Sequence, residues 1–249
     1  MNIQLALTRF DKLGKVIKSV RLAQALFRHR VLAGAEHRHV LSRDLSTVID
    51  IGANRGQFAL AVRQWAPHAR VISFEPLPEP AKLFRKVFSG DGAVSLHEAA
   101  IGPIAETRTM HVSARDDSSS LLPTSSLQSS MFPGTAEAGT IKVRVAPLDE
   151  FVEVAELKEP AMLKLDVQGF EYEALLGCES LLQNFNSIYC ECSFIELYSG
   201  QKLAAEVIAW LAGRGFDLRG VYNSSYDHQG QFVQADLLFE RTGKQALKF

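Results

Sequence analysis

Cysteine is scarce: the 249-residue chain has three, Cys178, Cys190 and Cys192. An odd, small number excludes a disulfide framework and suits a reducing compartment. Cys190 and Cys192 alternate within an apolar run, so they share one strand face. No Cys or His pair elsewhere completes a zinc site with them, and they read as small core residues. Net charge is nearly absent too. The 27 Lys and Arg against 28 Asp and Glu leave −1, which gives the whole molecule no attraction to nucleic acid. No uninterrupted apolar run is long enough to span a bilayer. The N-terminus lacks the short apolar core and small-residue cleavage site of a signal peptide, so the expected location is the cytoplasm. The dinucleotide fingerprint G-x-G-x-x-G is also missing.

What remains is an ordinary globular balance of 47 % hydrophobic and 22 % charged residues. The length allows one large domain or two small ones. From residue 46 onward, apolar runs at Thr47–Ile51, Arg70–Phe74, Val94–Glu98, Met162–Leu165 and Ser187–Cys192 alternate with helical patterns at Gln57–Trp65, Glu79–Phe88, Glu171–Leu182 and Leu203–Arg214. Such alternation predicts a doubly wound α/β fold, a mostly parallel sheet with helices on both faces. Phe216–Tyr222 and Ala235–Glu240 are separated only by a polar turn, too short for a helical crossover, so they should pair antiparallel. Thr107–Val112 and Thr140–Val145 read as a second hairpin. The serine-rich segment between them makes residues 107 to 146 an inserted hairpin with a lid or a flexible loop.

Residues 1 to 45 form a separate helical extension in this reading. Phe10, Leu13, Val16, Ile17, Val20 and Phe27 recur at helical spacing, with Lys12, Lys15, Lys18 and Arg21 on the opposite arc. An amphipathic helix of this kind packs its stripe on the domain. A second reading lays residues 10–27 on the inner membrane face as a peripheral contact. A homo-oligomer is compatible with this reading.

The most informative stretch is "TVIDIGANRGQF", residues 47 to 58. A buried strand leaves through Asp50, Gly52, Asn54 and Gly56 just before a helix. In a doubly wound sheet, ligands sit at the carboxyl ends of the strands. Glycines there let backbone N–H groups approach a ligand, and a helix N-terminus favours an anion. The second strand ends at Glu75, about where a ribose-binding carboxylate is expected after such a loop. Together these features point to an adenosine-containing ligand.

The glycine loop, Glu75 and the terminal hairpin resemble a class I S-adenosylmethionine-dependent methyltransferase with a Rossmann-like seven-stranded sheet. "DIGANRGQF", "FEPLPE", "LKLDVQGFEYEALLG", the triplet Ser118–Ser120 and "PLDEF" further resemble the FkbM family, over about residues 46 to 240. The resemblance implies O-methylation of a hydroxyl on a sugar, glycolipid or polyketide-type acceptor. It implies that Gly52, Ala53, Asn54 and Gly56 line the methionine end of S-adenosyl-L-methionine, with Asp50 and Phe58 beside them. Glu75, followed by Pro76, would hold the ribose. Ala100 and Ile101, at the end of strand three, would flank the adenine. His97 and Glu98 just upstream read as strand or loop residues.

Methyl transfer needs an aligned acceptor oxygen, dry surroundings and a base or a metal to activate the hydroxyl. Asp166 ends the fourth strand next to the expected sulfonium, Glu171 opens a helix, and Glu191 ends the fifth strand. These acids could converge as a base, or Asp166 and Glu191 could hold a divalent cation such as magnesium through oxygen ligands. Lys164 receives no role. His111 and His228 are minor base candidates, and Tyr222 and Asn223 minor substrate contacts. Asp166-Val167-Gln168-Gly169 lacks the Asn/Asp-Pro-Pro-aromatic loop of amino methyltransferases, which with the neutral charge argues against a nucleic-acid substrate. Two rival readings are a nicotinamide-dependent oxidoreductase and a non-catalytic partner protein that keeps the cofactor fold.

Overall fold

The computed structural model describes residues 20–115 and 118–243. Strands β1 (Thr47–Ile51), β2 (Arg70–Phe74) and β3 (Val94–His97) come first. β4 (Ala100–Ile101), β5 (Glu106–Ser113) and β6 (Glu137–Ala146) follow, then β7 (Ala161–Leu165), β8 (Ser187–Ser193), β9 (Phe216–Tyr226) and β10 (Phe232–Arg241). The main sheet has seven strands in the order β3-β2-β1-β7-β8-β10-β9. Its first five strands run parallel, and β10 inserts antiparallel between β8 and β9. The fold is therefore the expected Rossmann-like α/β sheet closed by an antiparallel pair. From β8 the chain goes first to the outer position as β9 and then returns between the two as β10, so β10 is internal and β9 forms the edge.

β1 is buried along its whole length, as a β-branched run at the centre of a parallel sheet should be. Its side chains alternate between two cores. Ile49 and Ile51 pack with Ala174, Leu175, Val207 and Leu211 on one face. Val48 packs on the other with Phe58, Leu60 and Phe84. Helices α2 (Gln57–Trp65) and α3 (Pro78–Val87) supply that second face, together with α1 (Val20–His29), whose Leu22 and Ala25 are buried there. A 3-10 turn at Ala35–Val40 carries the chain from α1 across the same face. Phe27, assigned to the apolar stripe, is instead 75 % exposed. Most of that expected basic helix falls on residues 1–19, outside the described residues. Among the described residues no helix is long and apolar enough to cross a membrane.

The insertion is more ordered than its composition suggests. β5 and β6 pair antiparallel, as expected, and β4 pairs parallel with β6 to make a separate three-stranded sheet. Ala100 and Ile101 therefore do not end the third strand. They sit beyond it, opposite Val145 and Ala146. The serine-rich segment contains a short helix, α4 (Ser126–Met131), whose first turn is capped by Ser125 Oγ accepting from Gln128 N–H at 3.2 Å. The helix expected at Glu171–Leu182 divides in two. α5 spans Glu171–Gly177, and a 3-10 turn takes over at Glu179–Asn184. Gly177 sits so close to Gly102 that an added Cβ would lie 2.5 Å from its carbonyl oxygen. α6 (Ala204–Ala212) covers the far end of the sheet.

Candidate active site

The chain passes from β1 outward to β3 and then returns to the other side of β1 as β7. A crevice opens at the carboxyl ends of strands where the order reverses. A cavity lies there, and Gly52, Ala53, Asn54, Phe58, Glu75, Pro76, Ala100, Ile101 and Asp166 all line it. Two expected residues do not. Asp50 lies beneath the floor, fully buried. Gly56 turns the chain into α2 at φ 94°, and an added Cβ would strike the Phe88 ring at 2.5 Å.

The glycine loop works differently from the expectation. Its backbone N–H groups are already engaged: Gly52 and Ala53 donate to Phe74 O, Gly56 to Ala53 O, and Asn54 to Glu75 Oε2 at 2.8 Å. What Gly52 supplies is space. At φ +79°, a Cβ there would lie 1.8 Å from the Asp166 carbonyl oxygen, so only glycine lets β1 and β7 close this end. The loop turns side chains toward the cavity instead. Asn54 Oδ1 and Gln57 Oε1 are buried with no hydrogen-bond partner among the described residues, and both residues line the cavity. Buried polar atoms left unpaired in a cavity wall point to a ligand that donates to them.

Glu75 is 5 % exposed. Its Oε1 accepts from Leu77 N–H and its Oε2 from Asn54 N–H, both at 2.8 Å. Burial nonetheless outweighs those donors and pushes its pKa up to about 7. Each carboxylate oxygen keeps a further lone pair for a hydroxyl donor.

Lys164, given no role from the sequence, is central. It does not reach a sheet edge but lies buried among acids. Its Nζ is 3.2 Å from Asp50 Oδ1 and 3.6 Å from Asp166 Oδ2, and it donates to Gly52 O at 3.0 Å. Burial alone would lower its pKa, but Asp50 and then Asp166 outweigh it and push it above the ordinary lysine range. The pairing follows from register, which sets Asp50 of β1 directly beside Lys164 of β7. A lysine inside an apolar central strand, two residues before an acid, was the available signal.

The three expected acids gather at one loop, but only Asp166 faces the cavity; its side chain is 38 % exposed. Glu171 is buried, and its Oε1 accepts from Val167 N–H at 2.9 Å and Gly169 N–H at 3.1 Å. Those two contacts shape the loop between β7 and α5. Burial pushes its pKa up to about 7. Glu191 accepts from Gln168 Nε2 at 2.9 Å, and burial and then Asp166 raise its pKa well above the ordinary value. The same Gln168 amide donates to Asp166 Oδ1 at 2.8 Å. One amide nitrogen is therefore shared by Asp166 and Glu191. Among the described residues no group of three or more His, Cys, Asp and Glu side chains is placed to hold a metal.

Gln168, at φ 57°, also ties down the serine-rich segment. Its Oε1 accepts from Tyr198 Oη at 2.8 Å, and its carbonyl accepts from Ser120 Oγ at 2.6 Å. Ser119 and Leu121 thereby join the cavity wall, with Met110 from β5. The minor candidates lie elsewhere. His111 contacts Glu137 at 2.8 Å on the β5–β6 hairpin, and His228 is exposed in the turn before β10. Tyr222 and Asn223 are not in the wall; Asn223 is exposed and bonds Asp236 and Tyr189. Glu36 and His37, which come from the N-terminal segment, do line the cavity, and no sequence feature singled them out.

Comparison with known proteins accords with this geometry. The profile of the methyltransferase FkbM domain matches residues 50–218. The 2-O-methyltransferase NoeI of Sinorhizobium fredii is 29 % identical over 174 residues, spanning 66 % of this chain and 72 % of that protein. The hexuronic acid methyltransferase AglP of Haloferax volcanii is 26 % identical over 165 residues, spanning 64 % of this chain and 63 % of that protein, just under two thirds of its length. The crystal structure of a methyltransferase FkbM from Methylobacillus flagellatus superposes with a TM-score of 0.50 at 14 % identity, over 79 % of this chain and 44 % of that one, a likeness of fold. With a profile match over most of its length, and that fold, the chain belongs to the FkbM methyltransferase family.

Proposed function

We propose that this protein is an S-adenosylmethionine-dependent O-methyltransferase acting on a hydroxyl of a sugar-containing acceptor. The observation that carries the reading is the buried Glu75 carboxylate at the end of β2, facing the same cavity as the glycine loop of β1 and Asp166 of β7. The residues present fit the cofactor. Glu75 would accept from the two ribose hydroxyls through its remaining lone pairs. Asn54 Oδ1 and Gln57 Oε1, the unpaired acceptors, would take the ammonium of the methionine end. Phe74, Leu77, Ala100 and Ile101 offer an apolar slot for the adenine. When bound, the cofactor supplies an activated methyl group on a sulfonium sulfur.

The chain's own part is to orient and to exclude water. Asp166 sits on the wall, held by Lys164 and by the Gln168 amide, and can accept a hydrogen bond from a neighbouring, non-reacting hydroxyl of the acceptor. The serine-rich segment, clamped through Tyr198 and Ser120, covers one side. A sugar acceptor is favoured by the name of one relative, a hexuronic acid methyltransferase, and O-methylation by that of another, a 2-O-methyltransferase.

Calorimetric titration with S-adenosylmethionine, S-adenosylhomocysteine and NADH tests the reading. Micromolar binding of the first two, abolished in Glu75→Ala, is expected. NADH binding in their place would sink it.

A further inference from the structure

An acceptor hydroxyl is a weak nucleophile and needs a group to take its proton. The acids expected for that task are engaged. Glu171 is spent on the loop after β7, Glu191 holds the Gln168 amide, and Asp166 is ion-paired with Lys164. A different group reaches the cavity from the turn at Ala35–Val40, outside residues 50–218. His37 lines the wall with its side chain 16 % exposed. Its ring stands edge-on to Phe58 at 5.1 Å and to Tyr189 at 5.6 Å.

His37 is held from behind by a chain of hydrogen bonds. Its Nδ1 lies 3.1 Å from Tyr189 Oη, and Tyr189 Oη donates to Asp236 Oδ2 at 2.7 Å. Asn223 Nδ2 donates to the same hydroxyl at 3.2 Å and to Asp236 Oδ2 at 2.6 Å. The single hydroxyl proton points at Asp236, so Oη offers His37 only lone pairs. Nδ1 must then carry the ring hydrogen, which leaves Nε2 with the free lone pair. Glu36 Oε1, from another wall residue, lies 3.9 Å from Nε2.

We propose that His37 is the general base of the methyl transfer, with Tyr189 and Asp236 as positioning residues behind it. The assignment rests on the methyltransferase reading. The acceptor O–H bond breaks and its proton passes to Nε2. The oxygen's electron pair forms the O–CH3 bond as the C–S bond breaks, and that bond's electrons leave on sulfur as a neutral thioether. The imidazolium then returns its proton to solvent, and Asp236 steadies its charge in the interval.

His37 is surrounded by charges from several elements: Glu36 on its own turn, Asp236 on β10, Lys164 on β7 and Asp166 just after it, with Tyr189 from β8. Burial is the strongest influence and holds its pKa below the ordinary 6.5, against Asp236 and Glu36. A neutral imidazole near pH 7 is the form a base requires.

The test is histidine-labelled NMR of the whole protein. The His37 signal is assigned by His37→Gln and followed between about pH 5 and 8. Complexes with S-adenosylmethionine and S-adenosylhomocysteine differ by one methyl and one positive charge. If Nε2 faces that methyl, the His37 midpoint falls by about two units in the first complex relative to the second, as expected for a cation roughly 6 Å away at an effective dielectric of about 20. Tyr189→Phe should release Nδ1, change the tautomer seen in the nitrogen shifts and shrink the difference, with cofactor affinity unchanged. Equal midpoints in the two wild-type complexes, or a proton on Nε2 in the neutral form, would overturn the proposal. If calorimetry shows that neither compound binds the wild type, the methyltransferase reading fails and the base assignment falls with it.

Discussion

Replacing Glu75 by Gln should remove a pH-dependent loss of fold stability and weaken the cofactor site. The folded carboxyl titrates at about 7 because burial penalises its charge, against an ordinary glutamate value of 4.5. A carboxyl raised in the folded state contributes stability that is fully present below 4.5 and is lost as pH rises through about 7. Well above that window the ionised group weakens the wild-type fold by about 3 kcal/mol, the interval of pKa multiplied by 1.36. Glutamine is neutral at every pH, like the protonated carboxyl, but its NH2 cannot accept from whichever of the Asn54 and Leu77 N–H groups it faces, which costs about 1–3 kcal/mol at all pH values. Glu75→Gln should therefore lie about 1–3 kcal/mol below the wild type at about pH 4.5 and gain on it by up to ~3 kcal/mol by about pH 8, roughly 5–10 °C in relative Tm for a chain of this size. Calorimetry at the higher pH should show S-adenosylmethionine bound about 10- to 100-fold more weakly, the loss of a charge-assisted hydrogen bond. Thermal unfolding of both proteins in a ligand-free buffer series is the assay. Parallel stability curves across the series would refute the reasoning, because the carboxyl would then not titrate in that range.

Lys164→Met should destabilise the fold by about 3–5 kcal/mol in denaturant titration, because it leaves Asp50 buried without its cation. Adding Asp50→Asn should recover more than half of that loss, and a single-mutant effect below about 1 kcal/mol would contradict the ion pair. Gly52→Ala drives a methyl to 1.8 Å from the Asp166 carbonyl at a positive φ. It should abolish cofactor binding in calorimetry and lower Tm, and near-normal affinity would show that β1 and β7 do not close there. Tyr198→Phe removes the hydroxyl that donates to Gln168 Oε1. Hydrogen exchange in residues 118–131 should quicken about tenfold, the effect of one buried hydrogen bond, and unchanged exchange would mean the segment is held by packing alone.

β1 and β2 begin and end where the sequence places them, at Thr47–Ile51 and Arg70–Phe74. Apolar runs bounded by glycine and polar loops are local signals, and local signals survive folding. The antiparallel closure was equally legible, because the turn between β9 and β10 is too short for a crossover. β4 was not legible. Two residues carry no periodicity, and Ala100–Ile101 becomes a strand only because β6 lies beside it.

The same division runs through the site. The sequence by itself determined the alternating α/β order, the glycine turn at Gly52 and an acid ending β2, since each follows from residue type and spacing along one stretch of chain. Only the tertiary structure decided which side chains meet. Register set Lys164 against Asp50, the Gln168 amide was shared by Asp166 and Glu191, and the N-terminal turn brought His37 to Tyr189 and Asp236. Charges separated by more than a hundred residues act on each other through distance in space, and that distance is fixed by packing rather than by any pattern in the chain.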